Sequence, residues 1–301
     1  MGEGRPAQPS ASNTKIMKRF IQDILTAGKV LLRSGHPSAS GSPEGHRRII
    51  VMGNGPSLRQ MIAERRETLM SADRMAVNFA ANAPEYFELR PQYYILADPH
   101  FFAGAESDPN VARLWERLAQ TDWEMTLFVP CRRGLVKAGG GKMAVRRLED
   151  LLRRLPENLT VKRFNLTPAE GGGWLTDRLV GAGLAMPRPR NVLIPAIMMA
   201  LREGYREVVL VGADHTWSRT LSVDDRNRVL SEQPHFYKDN EKELDRVAAE
   251  YAGYHLHDIL GSLTIAFRSY FDVRRHAERL GARIVNATPG SFIDAFERIS
   301  L

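Results

Sequence analysis

Short aliphatic runs, each closed by glycine, asparagine or aspartate, alternate along this chain with stretches in which apolar residues recur every three or four positions. The clearest instance is residues 48–58, R-I-I-V-M-G-N-G-P-S-L, where a buried-strand pattern turns directly into a helical one that runs to roughly residue 70. Residues 74–79 predict a second strand ending at Asn78, and residues 92–97 a third that delivers Asp98, Pro99 and His100 at its carboxyl end. A helix over 111–118 leads to a strand at 125–129, and 159–164 is a fifth strand. Residues 191–203 read as an apolar helix stopped by Gly204, and the strand 207–212, E-V-V-L-V-G, presents Asp214 and His215. A helix over 265–280, a strand at 282–285, the turn 286–291 and a last helix complete the pattern.

Strands alternating with helices at this spacing predict an α/β, Rossmann-like, mostly parallel sheet with helices on both faces. Such sheets bind ligands beyond the carboxyl ends of their strands, where Asn54, Asn78 and Asp98 fall. After the first strand, Gly53 and Gly55 would let the backbone approach a ligand, Pro56 suits a first helical turn, and the free N–H groups of that turn make an anion site for a phosphate. Asn54 and Ser57 add an amide and a hydroxyl beside it. A tight strand-to-helix turn with Ser57 as a cap explains the same residues.

From 216 to about 263 the regular pattern gives way to polar and aromatic residues, among them His235, Tyr237, Tyr251, Tyr254, His255 and His257. A long insertion after a site-bearing strand predicts a lid or acceptor-binding region that closes over substrate and excludes water. Residues 1–13 are expected to be disordered. Residues 15–33 predict a helix with Ile16, Phe20, Ile24 and Leu31 shadowed by Met17, Ile21, Leu25 and Leu32, with Lys15, Lys18, Arg19, Lys29 and Arg33 as cations. Two readings stand for it: an interfacial helix on an anionic membrane, or a helix packed on its own domain or on a partner chain. Residues 34–44 form a linker, which divides the chain into a tail, helix and linker over 1–46 and a nucleotide-binding catalytic domain over 47–301.

Composition narrows the partners. A net charge of +7 and a pI near 9.7 favour anionic ones: a nucleotide, a phosphorylated glycolipid or a membrane surface. Nucleic acid falls away, since the chain carries no RNA-binding signature, zinc-finger spacing or aromatic-basic ladder. Cys131 is the single cysteine, so no internal disulfide or cysteine-cluster metal site can form. With no apolar run long enough to span a bilayer and no signal-peptide core at the start, a cytoplasmic protein is expected, peripheral on the inner membrane if residues 15–33 bind lipid. A homo-oligomer is compatible with the same helix. Two glycine-rich stretches, Lys137-Ala-Gly-Gly-Gly-Lys142 and Glu170-Gly-Gly-Gly-Trp174, are expected to be loops; the first fails the Walker pattern because Met143 stands where Ser or Thr is required.

The motifs together resemble those of the bacterial lipooligosaccharide sialyltransferases: G-N-G-P-S-L at 53–58, V-N at 77–78, D-P-H-F-F at 98–102, A-L-R-E-G-Y-R-E-V-V-L-V-G-A-D at 200–214 and T-P-G-S-F at 288–292. The resemblance covers roughly two thirds of the chain. It implies a CMP-sugar donor with no further cofactor, transfer of a sialic acid- or Kdo-type sugar to a bacterial surface glycan or glycolipid, Asn54 and Ser57 by the donor phosphates, Asn78 at the cytidine nucleotide, and Asp98 at a further donor contact. Asp98 departs from the family's amide, Asn191 and Val192 replace its Thr-Ser pair, Thr216 stands where a tyrosine is expected, and a gapless match places Thr264 where the family has its histidine base. His257 and His215 are therefore the candidate catalytic residues, with Gly53, Asn54, Gly55, Ser57, Asn78, Asp98, Asn191 and Asp214 as the donor-binding set. The chain also resembles the hydroxymethylpterin pyrophosphokinase-like family, in which Asp98 and Asp214 would hold Mg²⁺ on a nucleoside triphosphate. A nucleotide-binding scaffold in polysaccharide assembly, without turnover, is the non-enzymatic alternative.

Overall fold

Among the described residues ten strands are formed: β1 (Arg48–Met52), β2 (Asp73–Val77), β3 (Tyr93–Ile95), β4 (Met125–Pro130), β5 (Leu159–Phe164), β6 (Glu207–Val211), β7 (Ser222–Val223), β8 (Val229–Leu230), β9 (Arg283–Asn286) and β10 (Glu297–Arg298). The computed structural model describes residues 11–41, 48–230 and 253–301. Eight of the strands make one sheet in the order β10-β9-β6-β1-β2-β3-β4-β5, and every neighbouring pair is parallel. β7 and β8 form a separate antiparallel hairpin within the first part of the expected lid.

Alternation along the strands divides the core into two layers. Ile50, Met52, Ala76, Tyr94, Leu127, Val129, Val209 and Val211 face one side, where they meet α2 (Ser57–Met70), α3 (Glu85–Leu89), α5 (Pro109–Ala119) and α7 (Gly141–Leu152). Ile49, Val51, Met75, Val77, Tyr93, Ile95, Phe128, Val208 and Leu210 face the other, against α8 (Trp174–Gly181), α9 (Leu193–Arg202) and α10 (Leu256–Arg279). Because both faces of each central strand are buried, the strands read as continuous aliphatic runs, and the parallel α/β expectation holds.

Four expectations need correction. The stretch 137–142 is helical, not a loop: α6 (Arg132–Leu135) runs through a π turn at Val136–Gly140 into α7, with Leu135, Ala144 and Leu148 fully buried and Gly139 and Gly141 absorbing the kink at φ 102° and 63°. α10 begins at Leu256 and not at Ile265, so the lid expected to reach about 263 gives way to helix at His255. Its first turns are largely solvated, which blurred their periodicity, and Asp258 secures the start by accepting the His255 backbone N–H at 3.0 Å. The last helix does not form. Arg298, within β10, instead donates to the carbonyls of Thr288, Ser291 and Ile293, tying the segment down as an extended stretch. β2 ends at Val77, where Asn78 takes φ 50° and opens a 3₁₀ turn.

α1 (Ala11–Arg33) starts earlier than expected, so residues 11–13 are helical, while residues 1–10 of the tail expected to be disordered lie outside the described residues. It packs on α8.

Candidate functional site

β1 and β6 lie side by side at the centre of the sheet, with the chain proceeding from β1 to β2 on one side and from β6 to β9 on the other. Their carboxyl ends form the topological switch point, the place where open parallel sheets bind ligands. The two strand-end loops are stitched together there. Gly53 N–H donates to the Val211 carbonyl at 2.8 Å, and Gly55 N–H to the Gly212 carbonyl at 2.9 Å. A Cβ on Gly53 would be driven into the Gly212 carbonyl, and one on Gly55 into the Asp214 carboxylate. These glycines therefore serve the approach of β6's loop to β1's loop, where the sequence suggested the approach of a ligand.

Asp214 occupies the start of α2. Its carboxylate accepts the Ser57 hydroxyl at 2.7 Å and the Ser57 backbone N–H at 3.3 Å. A carboxylate at a helix N-terminus satisfies an otherwise unpaired donor and meets the positive end of the helix dipole. The anion seat read from the sequence as a phosphate site is thus filled by this chain's own carboxylate, brought in across 157 residues of sequence. The 288–292 motif holds that carboxylate's loop: Ala213 N–H donates to the Thr288 hydroxyl at 3.0 Å, the Ser291 hydroxyl donates to the Ala213 carbonyl at 2.6 Å, and Phe292 N–H donates to the Asp214 carbonyl at 2.9 Å.

Beside this closed seam stand Asn54 and Asn78, and Asn191 lies just before α9. Asn54 Nδ2 donates to the Val77 carbonyl at 3.1 Å, which sets it against Asn78 at the end of β2. Asn54 Oδ1, Asn78 Oδ1 and Asn191 Nδ2 are each buried without a hydrogen-bond partner. A buried amide atom left unpaired costs about 1–3 kcal/mol, so these three atoms at the carboxyl edge of the sheet would gain from polar groups that a ligand brings to them. The adjoining carbonyl of Asn78 is held by the Tyr94 hydroxyl at 2.5 Å, which fixes the left-handed turn that aims the side chain.

His215 follows Asp214 with φ 52° and is buried, its ring 4.1 Å from that of Trp217 and its Nε2 2.6 Å from the Tyr270 hydroxyl. Tyr270 also lies 2.8 Å from Asn191 Oδ1, which accepts the Leu193 backbone N–H at 3.0 Å. The atom bonded by Leu193 N–H must be an oxygen, so the single Tyr270 proton goes to Asn191 and His215 must donate from Nε2. This fixes the Nε2–H tautomer and leaves the lone pair on Nδ1. Burial pushes the imidazole pKa down to about 3, so His215 is a neutral donor to Tyr270 and a weak proton acceptor. Sequence reasoning paired His215 with Asp214 by position and missed Tyr270, whose signal was a tyrosine on the apolar stripe of a helix.

Asp98 and His257 stand apart from this cluster. The exposed Asp98 accepts the His100 backbone N–H at 2.8 Å as a turn cap. β3 is three strands from β6, a separation of about 14 Å at ~4.8 Å per strand. Asp98 and Asp214, held in their turn and cap, do not form the pair of close oxygen ligands that one Mg²⁺ ion takes at about 2.1 Å. His257 lies on the first turn of α10, its side chain 80% exposed, 3.4 Å from Asp258 and stacked on His255 with ring centroids 5.8 Å apart. His235, Tyr237 and Tyr251 lie outside the described residues. A cavity of about 530 Å³ is lined by Ser57, Met61, Arg65, Thr288, Arg298 and Leu301 among others, and Asn54, Asn78 and Asn191 are not part of its lining.

No family model matches the chain, and no curated protein matches it. Among solved structures it is similar to one described as the structure of MAf glycosyltransferase from Magnetospirillum magneticum AMB-1, with 14% identity and a TM-score of 0.46 over 94% of this chain. The chain spans 38% of the length of that protein.

Proposed function

We propose that the carboxyl edge of β1 and β2 binds the nucleotide of a sugar donor, and that the protein is a glycosyltransferase. The observation that carries the reading is the unpaired buried amide atoms on Asn54, Asn78 and Asn191, on segments at the carboxyl edge of a parallel sheet. Two of these atoms are acceptors and one is a donor, a set suited to the hydroxyl, amino and carbonyl groups of a nucleoside. The phosphate is not seated at the Ser57 N–H in this reading, because Asp214 already fills that position.

The donor is a CMP-linked sialic acid- or Kdo-type sugar and the acceptor a bacterial surface glycan or glycolipid, on the strength of the motif resemblance. Transfer breaks the anomeric C–O bond to CMP, which leaves with the electron pair, while the acceptor oxygen bonds to the anomeric carbon and gives up its proton. That proton needs a base and the oxocarbenium-like state needs shelter from water. The early start of α10 puts His255 and His257 at its first turn, in place of Thr264, and the exposed His257 is the base in this reading. His215, neutral and committed to Tyr270, positions the loop instead. The separation of Asp98 from Asp214 supports this metal-independent chemistry over Mg²⁺-dependent pyrophosphate transfer.

The test is release of CMP from CMP-sialic acid and CMP-Kdo, with and without lipooligosaccharide acceptor, in wild type, Asn54→Ala and His257→Ala. Acceptor-stimulated release that survives chelation, weakens in KM for Asn54→Ala and falls about 10²-fold or more in kcat for His257→Ala is the expected result. Saturable nucleotide binding without turnover of either donor would make the protein a binding scaffold.

A further inference from the structure

α1 is mounted with its polar side inward. Asp23 is 5% exposed and Thr26 fully buried, where ordinary amphipathic helices bury their aliphatic stripe. Asp23 accepts the Thr176 backbone N–H at 3.0 Å and its hydroxyl at 2.6 Å, and Thr26 accepts the Glu170 backbone N–H at 2.8 Å. Lys29 pairs with Glu170, which Arg188 also contacts. The seat is built for this face. A Cβ on Gly171 would run into the Gln22 side chain and one on Gly173 into the Asp23 carboxylate. The glycines of the 170–174 stretch, expected as a loop, thus admit a helix.

The consequence is an apolar face turned to solvent. Ile16, Met17, Phe20, Ile21, Ile24 and Leu25 are each at least half exposed, and Leu31 and Leu32 extend the stripe. A Cβ added at Gly28, on the same face, would meet nothing beyond its own helix backbone within 4 Å. A contiguous set of this size marks an interaction surface.

Charge selects the occupant. Asp23 is the sole acidic residue of α1 and it is buried, whereas Lys18, Arg19 and Arg33 are exposed. Arg133, which donates to the Leu31 and Ser34 carbonyls, is exposed at the helix's carboxyl end, while Arg132 beside it is paired with Glu149. At the first residue of α8, Trp174 is 69% exposed with the Arg178 guanidinium 5.5 Å from its ring. A second copy packed isologously on this face would offer these cations no exposed acid from α1, since its one carboxylate, Asp23, is buried. An anionic bilayer surface offers apolar depth to the stripe, negative headgroups to the cations and an interfacial position for the tryptophan. Among the described residues no helix is long and apolar enough to cross a membrane.

We propose that α1 docks the protein on an anionic lipid surface, lying in the plane of the interface with its stripe buried and its polar side clamped to the 170–176 segment. This stands independently of the glycosyltransferase reading. The experiment is co-sedimentation of the full chain with phosphatidylcholine vesicles, with and without phosphatidylglycerol, comparing wild type with the Phe20→Asp, Ile24→Asp double variant. Circular dichroism melting verifies folding, and sedimentation velocity without lipid gives the oligomeric state. The expected result is at least about tenfold stronger partitioning onto anionic vesicles, weakened by added salt and reduced about tenfold or more in the double variant, with both proteins monomeric and equally folded. Absent partitioning, equal partitioning of wild type and variant, or equal partitioning onto neutral and anionic vesicles would overturn it. So would a concentration-dependent dimer that the double variant dissolves.

Discussion

The carboxylate of Asp214 and the hydroxyl of Ser57 meet at 2.7 Å across the seam between β6 and β1, and this contact closes the N-terminus of α2. It joins the two loops of the switch point into one unit, with Gly53, Gly55 and Gly212 supplying the clearance.

Removing the cap is expected to destabilise the fold. Asp214→Ala leaves the Ser57 N–H and hydroxyl without their acceptor and should lower stability by about 1–2 kcal/mol in urea unfolding. Gly55→Ala should cost more, about 3 kcal/mol, because its Cβ overlaps both the Asp214 carboxylate and the Gly212 carbonyl. The Gly55→Ala, Asp214→Ala double variant should recover part of that loss, since one of the two overlaps is removed.

His215 makes stability fall in weak acid. Its folded pKa is held near 3 against an ordinary value of 6.5, so between those limits the unfolded chain binds a proton that the folded chain refuses. Stability from this group is complete above pH 6.5, falls by about 1.4 kcal/mol per pH unit below it and levels off near pH 3. His276, also lowered by burial and next by Arg279, acts in the same direction. Urea unfolding from pH 7 to 4.5 should show a shallower acid slope in His215→Asn, a substitution that tolerates the left-handed backbone at this position.

Tyr270→Phe removes the acceptor of the His215 Nε2–H and the donor to Asn191. A loss of about 1–2 kcal/mol is expected from the unpaired imidazole N–H. Nitrogen-15 shifts of the wild-type ring should report the Nε2–H tautomer at pH 7, and the Nδ1–H form would refute the hydrogen-bond assignment.

Gly173→Ala should loosen α1 from its seat, as the added Cβ meets the Asp23 carboxylate that caps the start of α8. Limited proteolysis should then cleave within residues 16–33 faster than in wild type, with the sheet core resistant.

Much of the fold was legible because its strands are buried on both faces. Ile49, Ile50 and Val51, or Val208 to Val211, can be aliphatic without a break only where helices cover both sides. The amides at strand ends were legible for the same reason, since topology fixes where such ends point. The pairing of Asp214 with Ser57 was not, because a carboxylate 157 residues away leaves no local mark on a glycine-rich turn. The orientation of α1 was hidden too: periodicity reveals an apolar stripe but not which side the domain grips, and Asp23 with Thr26 show their role only beside Thr176 and Glu170. The start of α10 was missed where solvated turns dilute the helical pattern, and the final helix was expected where Arg298, within β10, ties the Ser291 and Ile293 carbonyls into an extended segment.

Calorimetric titration with CMP, without added metal, tests the central claim most directly when repeated on Asn54→Ala. The substitution removes one hydrogen bond to Val77 and one unpaired acceptor, so the free protein should change stability by less than about 1 kcal/mol. Saturable CMP binding that weakens about tenfold or more in Asn54→Ala, a loss of about 1.4 kcal/mol, is the predicted result. Equal CMP binding by both proteins, or binding of ATP alone and only with Mg²⁺, would contradict the account.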